Sequence, residues 1–286
     1  KVELDFRGSG TTFSVVRLRH AYLNLDWGTS ALLLGQTWHP LYGDVAPQIL
    51  NLNMGAPFQP FSRAPQIRYR YKTGDIQITG AALWQSQYLS QGPEGKSQKY
   101  IKNSCVPEIY AGIDYKHKGL LIGAGIEMVS LTPRTQATVE DKIYKVSERI
   151  TSLSYEVHMK YNSEKWLVAA KSVLGSNLTQ TSMLGGYGIK SIDPRTGEQE
   201  YSPNRNSSSW INIVYGKTWK PAIFFGYMKN LGTSDAVTNM YGTGTNVDQL
   251  LSGTAELTYN VPHWKLGVEY NLTSAWYGSL NHSNGK

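Results

Sequence analysis

The sequence predicts an all-β protein, a transmembrane antiparallel β-barrel, and three observations predict it. Strand-length segments alternate apolar and polar residues. Short turns and long loops take turns along the chain. Each short turn has an aromatic residue within about two positions of it. Residues 66–79 show the alternation most plainly. Gln66, Arg68 and Arg70 share one face, and Ile67, Tyr69 and Tyr71 the other. Lys72–Asp75 is a tight turn, after which Ile76 and Ile78 resume the apolar face and Gln77 and Thr79 the polar one. This is a hairpin with one apolar and one polar side.

The elements follow in order. Lys1–Phe6 reads as a leading strand. Residues 14–26 and 30–38 flank the turn at Trp27–Ser30, with a bulge expected near His20–Tyr22, because Arg17 and Arg19 share a parity with Leu23 and Leu25. The hairpin at 66–79 is next. Ile109, Ala111, Ile113 and Tyr115 then oppose Glu108, Gly112, Asp114 and Lys116 before the turn at His117–Gly119, and Ile122, Ala124 and Ile126 oppose Gly123, Gly125 and Glu127 after it. Leu153–Tyr161 precedes a turn at Asn162–Lys165, Ile211–Tyr215 a turn at Lys217–Pro221, and Leu251–Tyr259 a turn at Asn260–His263. Six hairpins and the leading strand give thirteen strands. Trp27, Tyr71, Tyr115, Tyr161, Trp166, Tyr215, Trp219, Tyr259 and Trp264 mark the turn end as an interfacial belt. Gly35, Gly123, Gly125, Gly226 and Gly267 interrupt strands and read as points of barrel curvature.

The long segments, Arg7–Phe13, His39–Ala64, Gln85–Val106, Leu131–Thr151, Leu174–Ser208 and Met228–Asp248, read as loops on the opposite side. His39–Ala64 is the unusual one. It has four prolines and a single acidic residue, Asp44, and it carries Val45, Ile49, Leu50, Leu52, Met54, Phe58 and Phe61. A long loop of that composition suits packing against a wall.

Composition agrees. Charged residues are 17% and aromatic residues 12%, few charges and many rings for a water-surrounded domain. No run approaches the roughly 20 apolar residues of a membrane helix. The single Cys105 allows no internal disulfide, and the net charge of +7 is spread out rather than gathered in a nucleic-acid arm. No zinc spacing or phosphate-binding glycine loop appears, so no cofactor or metal is expected. No catalytic residue is expected either. Ser154 and His158, four apart on one strand face, lie about 13 Å from each other, too far for a nucleophile and its base. Residues 1–286 read as one barrel domain, apparently truncated at both ends, since Lys1 follows no signal peptide, Asn281–Lys286 reads as loop, and barrels of this kind have even strand numbers.

Three motifs carry a family resemblance: FSVVRLRHAY at Phe13–Tyr22, LLLGQTW at Leu32–Trp38 and FSRAPQIR at Phe61–Arg68. In order and spacing they resemble the DcaP-like porins, especially their Bacteroidetes relatives. The resemblance implies a 16-stranded trimeric barrel in the bacterial outer membrane, with lipopolysaccharide around it. It also implies that His39–Ala64 is the third external loop, folded into the lumen, and that small anionic molecules are favoured.

On the inward face, Arg17, Arg19, Arg68 and Arg70, with Arg63 at the loop exit and Asp44 on the loop, are the candidate pore-lining residues. Guanidinium groups stay charged and bind carboxylates or phosphates in bidentate fashion, and successive weak contacts let a solute move on. The opposite wall carries Glu108, Asp114, Glu127, Glu156, Glu256, Glu269, Lys160, Lys171 and Lys265. Another reading of these charges is that they pair across strands and keep a filled lumen wet. The function expected is a passive channel for small hydrophilic, anionic solutes. The alternatives are a non-conducting barrel serving as an accessory subunit of a larger outer-membrane assembly, and a soluble β-sandwich adhesin or carbohydrate-binding module.

Overall fold

The computed structural model describes residues 1–9, 14–51 and 53–279; Leu52, Asn281–Lys286 and part of Arg7–Phe13 lie outside them. The strands are β1 (Val2–Ser9), β2 (Ser14–Asp26), β3 (Ser30–Trp38), β4 (Arg63–Thr73), β5 (Ile76–Leu83), β6 (Gln91–Gly92), β7 (Gly95–Lys96), β8 (Glu108–His117), β9 (Leu120–Leu131) and β10 (Gln136–Val139). They continue with β11 (Lys142–Lys145), β12 (Ile150–Asn162), β13 (Trp166–Ser176), β14 (Gly185–Ile192), β15 (Gln199–Tyr215), β16 (Trp219–Gly232), β17 (Met240–Thr243), β18 (Val247–Val261) and β19 (Trp264–Tyr277). One helix, α1 (Lys99–Ser104), lies in the loop before β8.

The wall runs β1-β2-β3-β4-β5-β8-β9-β12-β13-β15-β16-β18-β19, each strand antiparallel to the next. Among the described residues β1 and β19 are not paired with each other. The short turns fall where expected, for example at Lys72–Asp75, between Thr73 and Ile76.

The wall is inside out by the standards of a water-soluble protein. Ile67, Tyr69, Ile78, Ile113, Val157, Ile223 and Phe225 are exposed, while Gln66, Arg68, Gln77, Glu108, Glu127, Glu156, Lys171 and Asn212 are buried. Apolar surface faces outward and polar side chains fill the interior, the order a lipid solvent imposes. The aromatic belt stands on the same outer surface. Trp27, Tyr71, Tyr115, Tyr161, Trp166, Tyr215, Trp219 and Trp264 are all exposed near short turns. Neighbouring rings touch, Trp166 with Tyr215 at 4.6 Å and Trp219 with Tyr259 at 4.7 Å between centroids.

Several expectations need correction. The bulge in β2 falls at Arg19, where Glu3 pairs His20 and Leu4 pairs Leu18, one residue before the expected place. The segment Leu174–Ser208 is largely strand. β13 reaches Ser176, and β15 begins at Gln199 and runs past the wall to pair with β14, which in turn pairs with β17. Gln199–Ser208 is polar on both parities and contains Pro203, so it lacks the alternation that betrays a half-lipid strand.

The interior glycines are also more than curvature. A Cβ at Gly125 would lie 2.4 Å from the Tyr110 hydroxyl and one at Gly123 2.4 Å from His158 Nε2. At Gly226 it would meet Phe58 Cγ at 2.6 Å, and at Gly267 Leu50 Cδ1 at 2.8 Å. These positions are seats for side chains inside the barrel. Gly35 differs: its φ of +121° and the Ala21 carbonyl oxygen 2.3 Å from a would-be Cβ admit no other residue without strain.

Candidate constriction and its charged rim

The loop between β3 and β4 leaves the wall at His39, crosses the interior and returns at Arg63. Its contacts trace the crossing. Lys171 Nζ on β13 donates to the carbonyls of Leu41 (2.5 Å) and Tyr42 (3.1 Å). Trp210 Nε1 on β15 donates to Gln59 Oε1 at 2.9 Å, and Ser208 Oγ to the Phe58 carbonyl at 3.2 Å. The Gln48 amide donates to Asn212 Oδ1, and the Leu50 amide reaches both Glu256 on β18 and Glu269 on β19 at 2.8 Å. The loop therefore touches the far wall as well as the near one. Val45 and Phe58 pack with Trp210, Val214, Phe224 and Met228 in one buried cluster. Gln59 braces the loop from inside by donating to the Tyr42 and Val45 carbonyls. Buried loop backbone must find such partners, and the polar inner wall supplies them.

The predicted arginines divide into three groups. Arg17 makes a two-pronged contact with Asp5, at 3.1 Å from Nε and 2.7 Å from an Nη, and Arg19 lies 3.3 Å from Glu3. Asp5 and Arg17 are cross-strand neighbours in register, so this pair of arginines is matched by acids on β1. Arg63 is 2% exposed, with its guanidinium 5.0 Å over the Trp38 ring and beside Tyr88. There it braces the loop exit. Arg68 and Arg70 face the interior from β4. Arg68 is buried and donates to Gln66 Oε1 and to the Trp38 carbonyl. Arg70, about one-third exposed, lies 3.9 Å from Asp44.

Alternation puts Lys116 on the inward face but does not single it out as pore-lining; its Nζ is 3.0 Å from Asp44. The loop carboxylate thus faces two cations directly, with Arg68 on the same wall acting on it from farther off. Partial burial pushes the Asp44 carboxyl up, but Arg70 and Lys116 outweigh this and hold its pKa below the usual carboxylate range. Because the folded value is lowered, the attachment is fully present above about pH 4, the ordinary carboxylate value, and is lost as pH falls through the folded one. Conductance is expected to stay flat from neutral pH to about 5 and to change only below about 4. Asp44→Asn should show the low-pH conductance throughout; a wild-type transition near neutrality would contradict this assignment.

Beside the rim lies a wall network that alternation placed inward without pairing. His158 Nε2 is 2.9 Å from Asp114, Glu156 Oε2 is 3.2 Å from Lys171 Nζ, and the Tyr110 hydroxyl donates to Glu156 Oε1 at 2.8 Å. A second cluster sits at the loop root, where His39 Nε2 is 3.2 Å from both Glu108 and Glu127. These three come from distant stretches, and only the wall's register brings them together.

No family model matches the sequence, and no curated protein matches it. Solved structures do. The outer membrane channel DcaP of Acinetobacter baumannii aligns over 96% of this chain and 73% of its own, at 20% identity and a TM-score of 0.70. The fold is that of a bacterial outer-membrane β-barrel. OmpT, an outer membrane protein of Vibrio cholerae, agrees with it at a TM-score of 0.56 and 11% identity, over 95% of this chain and 74% of its own. The trimer form of the same protein aligns over 99% of this chain and 78% of its own, at 12% identity and a TM-score of 0.55. Within that barrel, the loop between β3 and β4 reaches from the near wall to β18 and β19.

Proposed function

We propose that the chain is an outer-membrane porin, a passive channel for small hydrophilic and preferentially anionic solutes, acting as a homotrimer within the DcaP-like family and on its Bacteroidetes side. The observation that carries the reading is the loop rim. Arg70 and Lys116 on the wall contact Asp44, the one carboxylate of the loop, and Arg68 acts on it from farther off. With the neighbouring Asp114 engaged by His158, three cations against the loop's one anion leave a positive excess where the loop narrows the lumen. An anion passing there meets charges that attract it without enclosing it, which is what permeation needs. Arg17 and Arg19, already matched by Asp5 and Glu3, add a hydrated pairing surface rather than a free ladder. The three motifs and the likeness to DcaP support the family assignment, and the likeness to the trimer form of OmpT supports the trimer.

The test is a reversal potential. In a planar bilayer under a tenfold salt gradient, wild type is expected to prefer anions. Arg70→Ala should bring the preference close to neutral, because it removes one of the two partly exposed cations that contact Asp44, and Arg70→Glu should reverse it. Cation preference in the wild type would sink the proposal.

A second reading has an observation of its own. The loop is tied to the far wall at Lys171, Ser208, Trp210, Asn212, Glu256 and Glu269, which also suits a plugged barrel that acts as an accessory subunit of a larger assembly. Stoichiometric partners after mild extraction, with no conductance, would favour that reading.

A further inference from the structure

The cluster at the loop root has no part in the conduction reading. Its three members are fully buried, with His39 and Glu108 1% exposed and Glu127 0%. Among the described residues, neither glutamate has a lysine or arginine within ion-pair distance; each has only His39. One imidazole therefore stands against two carboxylates. Its Nδ1 is 3.2 Å from the Leu41 amide, which is placed to donate to it. With that bond made, Nδ1 carries no proton, and the two carboxylates converge on the one remaining ring nitrogen in a place from which water is excluded, a costly arrangement unless a cation completes it.

A second observation points the same way. Neither oxygen of the Glu127 carboxylate receives a hydrogen bond. Among the described residues the ring nitrogen that faces it, His39 Nε2, is shared with Glu108 at the same distance of 3.2 Å. Glu108, by contrast, is oriented from behind by Gln85, whose Nε2 donates to Oε1 at 2.5 Å. Gln85 is itself fixed by the Ser90 amide and hydroxyl. A held carboxylate, a bare carboxylate and an imidazole converge on one point.

We propose that His39 Nε2, with one oxygen each from Glu108 and Glu127, forms a binding site for a divalent transition cation of the zinc class. The spacing fits. Ligand atoms about 2.0–2.1 Å from a tetrahedral zinc lie about 3.3 Å from one another, and Nε2 stands 3.2 Å from both carboxylates, with all three donors within 4.8 Å of each other. The charge fits too, since two carboxylates and a neutral imidazole cancel a divalent ion. The mixed nitrogen and oxygen set suits zinc better than magnesium or calcium, which take oxygen alone. Metal at Nε2 moves the ring proton to Nδ1, so the Leu41 amide must turn away from the ring on binding. Because His39 begins the crossing loop while Glu108 and Glu127 belong to β8 and β9, the ion would clamp the loop root to the wall. The site stands independently of whether the barrel conducts.

The experiment uses the folded full-length protein in detergent, stripped with EDTA, equilibrated with zinc, desalted and assayed by elemental analysis. About one zinc per chain is expected for the wild type, and His39→Gln and Glu127→Gln should each bind at least about ten-fold more weakly. Asp114→Asn, which alters the separate His158 cluster, should bind as the wild type does. Heat-modifiable gel mobility reports whether each variant has folded. If one has not, X-ray absorption of the zinc-loaded wild type decides, with one imidazole nitrogen and carboxylate oxygens expected at about 2.0–2.1 Å. No retained zinc in the wild type, equal retention in folded His39→Gln and Glu127→Gln, or sulfur in the coordination shell from the exposed Cys105 would each overturn the proposal.

Discussion

Replacing Lys171 with Met should release the crossing loop and produce the largest loss of stability of any single change in the lumen. Lys171 is 3% exposed, pairs with the equally buried Glu156 at 3.2 Å, and donates to the Leu41 and Tyr42 carbonyls. The methionine fills most of the volume but removes the cation and both donors. Removing one partner of a buried pair costs about 3–5 kcal/mol, since the other charge stays behind. The stranded Leu41 carbonyl adds to the cost, while the Tyr42 carbonyl keeps its Gln59 donor. Tyr110 and His158 remain on Glu156 and soften the loss at the wall. No such substitute exists for the Leu41 carbonyl. The expected result is a lower unfolding midpoint in detergent together with a larger, noisier conductance. Adding Glu156→Gln should restore part of the midpoint without restoring the loop, because the buried charge is gone while the Leu41 carbonyl still lacks a donor. A Lys171→Met protein with wild-type midpoint and conductance would show that the loop does not depend on this anchor.

Gly226→Ala should unseat the loop's other end. A Cβ there would lie 2.6 Å from Cγ of Phe58, an atom close to the backbone and unable to swing aside. Phe58 is 3% exposed and packs 6.2 Å from Phe224 between ring centroids, so the ring has no free space to enter. Overpacking of this kind costs about 1–3 kcal/mol, and the loop yields before the hydrogen-bonded wall. Gly253→Ala is the control. Gly253 stands opposite Phe225 on a neighbouring strand, and nothing lies within 4 Å of its would-be Cβ. Conductance and thermal midpoint should change for Gly226→Ala, recover in part when Phe58→Leu is added, and stay put for Gly253→Ala. Equal behaviour of the two glycine variants would remove the seat from the account.

How much of this was legible in the sequence depends on the range of the interaction. Strand faces and short turns were legible because lipid on one side and polar filling on the other impose a period of two within each segment, as in Ile67, Tyr69 and Tyr71 against Gln66, Arg68 and Arg70. The crossing loop was legible from its apolar content and prolines. The upper part of β15 was not, because Gln199–Ser208 is polar on both faces and β14, not lipid, lies against it. Partners across the lumen were not legible either. Gly226 looks like any strand glycine until Phe58 is placed over it, and Lys116 looks like a turn-end charge until Asp44 reaches it. The meeting of His39 with Glu108 and Glu127 depends on strand register and loop path together, and neither leaves a local mark.

Single-channel recording in a planar bilayer tests the central claim most directly, that the loop narrows an open passage instead of closing it. Discrete conductance steps are expected, grouped in threes for a trimer, with larger steps when Lys171→Met loosens the loop. A folded, heat-modifiable wild-type barrel that inserts and yields no steps would contradict it, whether or not Lys171→Met conducts.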